Sequence, residues 1–187
     1  MSEAGHIDPS NKKVALLIAA LAAVLAFSET LGKSAQTAAL SYNIEASNLW
    51  AFFQAKTIRL TTLRTAAEAL ELDLAREQSA RAKEAMEKRI AEWRKTAARY
   101  DSEPETQEGR KELSARAKAA EQKRDHSLAA YHRYEVGAAA LQLAIVLASA
   151  NIITGAAFLL WGSMGLGAVG VVLCLIGLFA PAALHLF

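Results

Sequence analysis

The sequence is poor in residues that staple, ligate or break a chain. A single cysteine, Cys174, in 187 residues leaves no partner for an intrachain disulfide, and with four scattered histidines it falls short of a Cys/His zinc cage. His126 and His132 stand six apart, the wrong spacing for two ligands on one helical face. The formal net charge of +2 lacks the basic excess of a nucleic-acid footprint, so no nucleic-acid partner is expected. There is no G-x-x-x-x-G-K-[ST] loop, G-x-S-x-G elbow or H-E-x-x-H pair. The chain therefore calls for no cofactor and reads as non-enzymatic. Glycine and proline are sparse too: Lys33 to Glu103 contains neither in 71 residues and Arg110 to Val136 neither in 27, which predicts long uninterrupted helices.

What is present divides the chain by solvent. From Arg59 to Glu135 there are 17 Lys or Arg and 15 Asp or Glu, whereas Gly137 to Phe187 holds no charge apart from titratable His185. In lipid every backbone polar group must pair within its own segment, so an apolar run of about 20 residues becomes a helix. Ala138–Trp161 and Gly165–Leu184 are two such runs of 24 and 20 residues. The gap at Gly162, Ser163 and Met164 predicts the turn of a transmembrane hairpin over 137–187, with Trp161 at the interface and Pro181 ending the second span. At the other end, Val14–Phe27 is 14 apolar residues. With Lys12, Lys13 and the small residues around Ala26 it has the outline of a secretory signal. The acidic leader of residues 1–11, with N-cap candidates Asp8, Ser10 and Asn11, favours a retained first span over 12–32.

Between the spans, residues 58–136 read as a charged coiled-coil hairpin with its turn at 101–109, where Pro104 and Gly109 lie and Ser102 is a candidate cap. Apolar residues recur at four and three spacing in one arm (Leu60, Leu63, Ala67, Leu70, Leu74, then Met86, Ile90, Trp93, Ala97, Tyr100) and in the other (Leu113, Ala117, Ala120, then, past an interruption at Arg124, Ser127, Tyr131, Tyr134). The register slips between Leu74 and Met86. Glu77 with Arg81, Glu84 with Lys88 and Glu112 with Arg116 stand in the favourable i, i+4 order. Trp93 and Tyr100, near the expected tip, form a candidate surface for a protein partner. The arms are unequal, however: 34–100 would extend roughly 100 Å as a helix and 105–136 roughly 48 Å.

That surplus falls on residues 33–57, a semi-polar stretch that is either interfacial or a fourth span entered by a bend near Gly32. A fourth span would equalise the arms and gather Lys12, Lys13, Lys56, Arg59, Arg64, Lys123, Arg124 and Arg133 on one side, opposite Lys33. Against it, a carboxylate at mid-bilayer costs about 3 kcal/mol on the insertion scale, and this stretch carries Glu45. The fold class is thus an all-α membrane protein with three transmembrane helices as a minimum, a fourth left open, and a long antiparallel coiled-coil hairpin.

The run SETLGKSAQTAALSYNIEASNLWAFFQAKTIR from Ser28 to Arg59, preceded by NKKVALLIAALAAVLAF, resembles a bacterial membrane family labelled domain of unknown function forty-three thirty-seven. The resemblance covers essentially the whole chain and implies a bacterial membrane protein with no established activity; it brings no functional residues with it.

The candidate polar site comprises Glu29 and Lys33, one helical turn apart and expected to pair, with Ser41, Asn43, Glu45 and Asn48 on the semi-polar stretch. Small residues at four-residue spacing (Ala15, Ala19, Ala23; Ala140, Ala144, Ala148; Ser163, Gly167) favour close helix approach. Gln142 and Asn151 are each expected to hydrogen-bond a neighbouring helix. Two functions of different class follow. One is a homo-oligomeric scaffold in the bilayer, its coiled coil projecting into the cytoplasm to meet partners. The other is an oligomeric ion or proton channel lined by the helix that bears Glu45.

Overall fold

The computed structural model describes residues 9–181, with side chains from residue 11. The leader 1–8, including Asp8, and the end of the last apolar run beyond Pro181 lie outside the described residues. Four helices make up 90% of what is described, with no strand among those residues: α1 Pro9–Leu74, α2 Ala80–Asp101, α3 Arg110–Thr154 and α4 Ala157–Phe179. The described residues form two compact units, one of residues 9–40 with 123–181 and one of residues 41–122.

The first unit brings together the three segments long and apolar enough to cross a membrane, carried by α1, α3 and α4. α1 and α3 run antiparallel, Leu21 packing with Leu141 and Ala144 and Ser28 meeting Tyr134. The unit is closed by small residues. A methyl group at Gly167 would lie 2.8 Å from Leu21, and one at Gly170 would lie 2.9 Å from the Gly137 carbonyl oxygen, so backbones approach where side chains are missing. Ala144, Ala148, Ser163 and Gly167 are buried in these contacts, while Ala15, Ala19 and Ala23 stay exposed. The two buried serines are paired with backbone carbonyls, the arrangement that an apolar surrounding favours: Ser163 Oγ donates to Ala144 O at 2.7 Å and Ser28 Oγ donates to Tyr134 O at 3.0 Å, while Cys174 Sγ lies 3.2 Å from Ser28 Oγ. Outside, large apolar side chains stand free, among them Ile153 at 86% and Phe158 at 73% exposed. Apolar outside and small inside is a packing suited to lipid.

The hairpin turn differs from expectation. It lies at Gly155 and Ala156, between α3 and α4, not at 162–164, which are helical. Gly155 adopts φ +69°, a conformation glycine takes at no steric cost. Its N–H donates to Asn151 O at 2.8 Å and Asn151 Nδ2 donates to Ala156 O at 3.0 Å. Asn151 thus closes the turn, whereas Gln142 does reach a neighbouring helix. Hydropathy, indifferent to a glycine inside an apolar run, placed the gap seven residues late. After α4, Ala180 N–H donates to Ile176 O and Pro181 follows the stop as expected.

No bend forms near Gly32: α1 is helical from Pro9 to Leu74. A continuous helix cannot turn back across a bilayer, so the fourth-span reading of 33–57 is withdrawn, and with it the crowding of basic residues on one side.

In the second unit the chain reverses at 75–79, between α1 and α2, not at 101–109. The register slip between Leu74 and Met86 marks this reversal. It is built without glycine or proline: the Glu77 carboxylate accepts from the N–H groups of Gln78 and Ser79, both at 2.8 Å, and Ser79 Oγ caps α2 through Ala82 N–H. As the chain then advances, its partners on α1 fall steadily in number. Arg94 pairs with Glu71 at 2.6 Å, Tyr100 and Glu103 meet Lys56, Arg110 stacks on Phe53, and Glu121 accepts from Trp50 Nε1 at 2.9 Å. α2 and the start of α3 thus run one after the other along α1, both antiparallel to it. Within this unit the 34 residues 41–74 of α1 are faced by the 22 residues of α2 and the first 13 of α3, 110–122. The unequal arms are resolved by a second helix break, with no extra span.

Candidate functional site

The break at 102–109 is locked by side chains from three helices. Gly109 is buried because a methyl group there would collide with the Glu112 carboxylate and Glu103 N and would lie 2.7 Å from Ser102 Cα. Glu112 occupies that space instead, accepting from Ser102 Oγ at 2.7 Å and Glu103 N–H at 3.1 Å. The Ser102 hydrogen bond in particular holds the Glu112 carboxyl below the ordinary glutamate range. Ser102 therefore ties α2 to α3 through Glu112 while ending α2. Next to it Lys56 is buried on α1, its Nζ 5.3 and 5.0 Å from the ring centres of Phe52 and Tyr100 and 3.9 and 3.8 Å from Glu103 and Glu108. Arg110 lies 5.1 Å over Phe53 and 3.3 Å from Asp101. Buried charge is matched here by carboxylates and ring faces.

Tyr100 accordingly belongs to this junction and is half-buried under Lys56, and Trp93 is half-buried with Arg89 5.8 Å over its ring. Neither stands at the chain reversal, so the exposed tip expected of them is elsewhere, at 75–79. Of the three predicted i, i+4 pairs, Glu84–Lys88 forms at 2.7 Å; Glu77 and Glu112 serve backbone and capping roles instead, and Arg116 donates to Gln107 O.

Ser41, Asn43, Glu45 and Asn48 are all exposed on α1. The opposite face of the same helix carries Ala46, Leu49, Trp50 and Phe53, packed on Leu113, Ala117 and Ala120 of α3. The helix interior to the unit is apolar, and the polar stripe looks outward.

Glu29 and Lys33 are brought together differently. Both line a groove of about 490 Å³ in the first unit, with Ser28, Gly32 and Gln36 on the α1 side and Tyr131, Tyr134, Glu135, Ala138, Ala139 and Gln142 on the α3 side. Glu29 accepts from Gln142 Nε2 at 3.2 Å rather than pairing with Lys33, whose carbonyl accepts from Thr37 Oγ1. Across the groove Tyr131 OH donates to Glu135 at 3.1 Å, and that bond pushes the Tyr131 phenol up. His132 Nδ1 lies 3.6 Å from the same carboxylate. Sequence reasoning assigned Tyr131 to the coiled-coil seam and brought neither Gln36 nor Glu135 to this place, because a groove between α1 and α3 follows from helix pairing, not from local spacing. Two carboxylates, one ammonium and two amides above an apolar floor can hold polar and charged groups at the end of a span. Among the described residues no cluster of three or more His, Cys, Asp or Glu is placed to hold a metal ion.

These observations define an all-helical chain with three helices long and apolar enough to cross a membrane. The chain belongs to the family described as Domain of unknown function (DUF4337), whose model matches residues 10–180. No curated protein and no solved structure shows a significant match to it.

Proposed function

We propose that the protein is a non-enzymatic scaffold of the bacterial inner membrane, homo-oligomeric, with residues 41–122 in the cytoplasm as an interaction module of coiled-coil type. The observation that carries this reading is the outward placement of Ser41, Asn43, Glu45 and Asn48 on a helix closed on its other side by apolar packing. These residues serve an outer surface. Helix continuity supports the same view, since Glu45 follows Leu31 by about 20 Å along α1 at 1.5 Å per residue, well beyond the first apolar run. Orientation follows from counting cations near the spans: Lys33, Lys123, Arg124 and Arg133 flank the segments leading into and out of 41–122, against Lys12 and Lys13 on the far side. The exposed Ala15, Ala19 and Ala23 favour association of spans from separate copies.

The test is a pair of measurements on the purified protein. In sealed liposomes under proton and potassium gradients, no flux above empty vesicles is expected. In detergent, a mass of more than one chain is expected. Gradient dissipation that Glu45→Gln abolishes overturns the scaffold reading in favour of a channel.

A further inference from the structure

The buried face of α1 leaves its opposite face with no cover, and that face carries a pattern of its own. Ser41, Ile44, Asn48, Ala51, Ala55, Ile58, Thr62, Thr65, Ala69 and Leu72 follow one another at alternating three- and four-residue steps without an error. All ten are exposed, Ile44 at 52% and Ile58 and Leu72 at 67% each. None is charged, although Glu45, Lys56, Arg59, Arg64, Glu68 and Glu71 lie in the same stretch. The large residues recur every fourteen positions, with Ala51 and Thr65 between them. Over Thr57, Ile58, Thr61, Thr62, Thr65, Ala66 and Ala69 the surface is concave and mainly apolar, a groove of about 620 Å³. A solvated helix face needs neither the sevenfold repeat nor the exclusion of charge; a seam between two helices needs both.

We propose that this face of α1 pairs in parallel with the same face of a second copy of the chain, forming a two-stranded coiled coil over residues 41–72. The inference rests on the homo-oligomeric reading above and names its interface. Three arguments select a second copy as the occupant. An uncharged strip of heptad period, apolar at Ile44, Ala51, Ala55, Ile58, Ala69 and Leu72, is matched by a strip of equal period, and an identical helix supplies one in register. Copies inserted in one membrane share one orientation, so their α1 helices are parallel and each seam residue meets its own counterpart. Asn48 then falls at an inner position of the seam, where paired asparagines fix the register of parallel two-stranded coils. The strip is also large enough: 32 residues give about 48 Å of length on a helix about 10 Å wide, burying on the order of 1,000 Å² over both partners. The flanking positions are nearly free of like charge, with Glu68 beside the partner copy's Asp73 the exception at the distal end.

Cysteine cross-linking of the full chain tests this. In a Cys174→Ser background, Ala51→Cys, Ala55→Cys and Ile58→Cys are oxidised in native membranes. Each is expected to give a disulfide-linked pair on a non-reducing gel, whereas Arg64→Cys, exposed on the flank, and Ala46→Cys, buried on the inner face, give at least tenfold less. In detergent, Ile44→Lys with Ile58→Lys should reduce the measured mass from twice to once the 20.1 kDa chain with unchanged helical content. If seam cysteines link no more than Arg64→Cys while the protein is still oligomeric, the seam is wrong and the scaffold reading stands on another interface. If the unsubstituted protein has the mass of one chain, both fall.

Discussion

The contact between α3 and α4 makes a quantitative prediction because one helix carries its own control. A methyl group at Gly170 would lie 2.7 Å from Leu141 Cγ and 2.9 Å from the Gly137 carbonyl oxygen. Carbon atoms pack at about 3.5–4.0 Å, so the fully buried Leu141 and the α3 backbone would have to retreat by about 1 Å. Side chains can rotate away; a helix backbone moves only with its helix. Overpacking of this kind costs about 1–3 kcal/mol. Five residues earlier on α4, a methyl group at Gly165 meets nothing within 4 Å. Both substitutions to alanine gain the same helix propensity, about 1 kcal/mol on scales measured in water, so the difference between the two variants isolates the contact. Gly165→Ala should equal or exceed the unsubstituted protein, and Gly170→Ala should lie about 1–3 kcal/mol below Gly165→Ala. Unfolding in mixed micelles of rising sodium dodecyl sulfate content, followed by far-ultraviolet circular dichroism, measures both. Coincident curves for the two variants would refute the close approach of α3 and α4 at this point.

Other parts of the fold make shorter predictions for the same assay. Leu113→Ala removes a fully buried side chain from the cluster with Ala46, Leu49, Ala117 and Ala120 and should cost about 2–5 kcal/mol; a loss under 1 kcal/mol would mean that α1 and α3 do not pack there. Ser28→Ala deletes the donor to Tyr134 O and the acceptor beside Cys174 and should cost about 0.5–1.5 kcal/mol, with Cys174 becoming more reactive to a membrane-permeant maleimide. Gly155→Ala places a side chain at positive φ at a cost of about 1–2 kcal/mol, and Gly155→Asn should recover part of it. Glu112 has a folded pKa below the ordinary 4.5, so its contribution is present above that value and is lost as pH falls through the folded pKa. Glu112→Gln should therefore flatten the stability profile below pH 4.5 and leave its shape at neutral pH unchanged.

The membrane half of the fold was legible where lipid imposes its rule, in the apolar runs of α1, α3 and α4. The turn joining α3 to α4 was not, because an apolar run hides a left-handed glycine and because Asn151 could be read as a partner for another helix. In the charged half, the absence of glycine and proline argued for one helix from Lys33 to Tyr100. The chain reverses anyway at 75–79, since Glu77 and Ser79 satisfy the backbone donors that a broken helix exposes. The register slip at that place was the available signal. Tyr100 looked exposed while its arm was counted as a hairpin tip, and falls under Lys56 once α2 is folded back along α1. Glu29 was visible as a polar residue at a span's end, but its partner Gln142 is 113 positions away, beyond any spacing rule.

The connection between α3 and α4 consists of Gly155 and Ala156 alone. A link of that length is far too short to cross a bilayer, so in a membrane α3 and α4 would lie as antiparallel neighbours with this link at one surface. A protease confined to the compartment that faces this link would find no loop to cut.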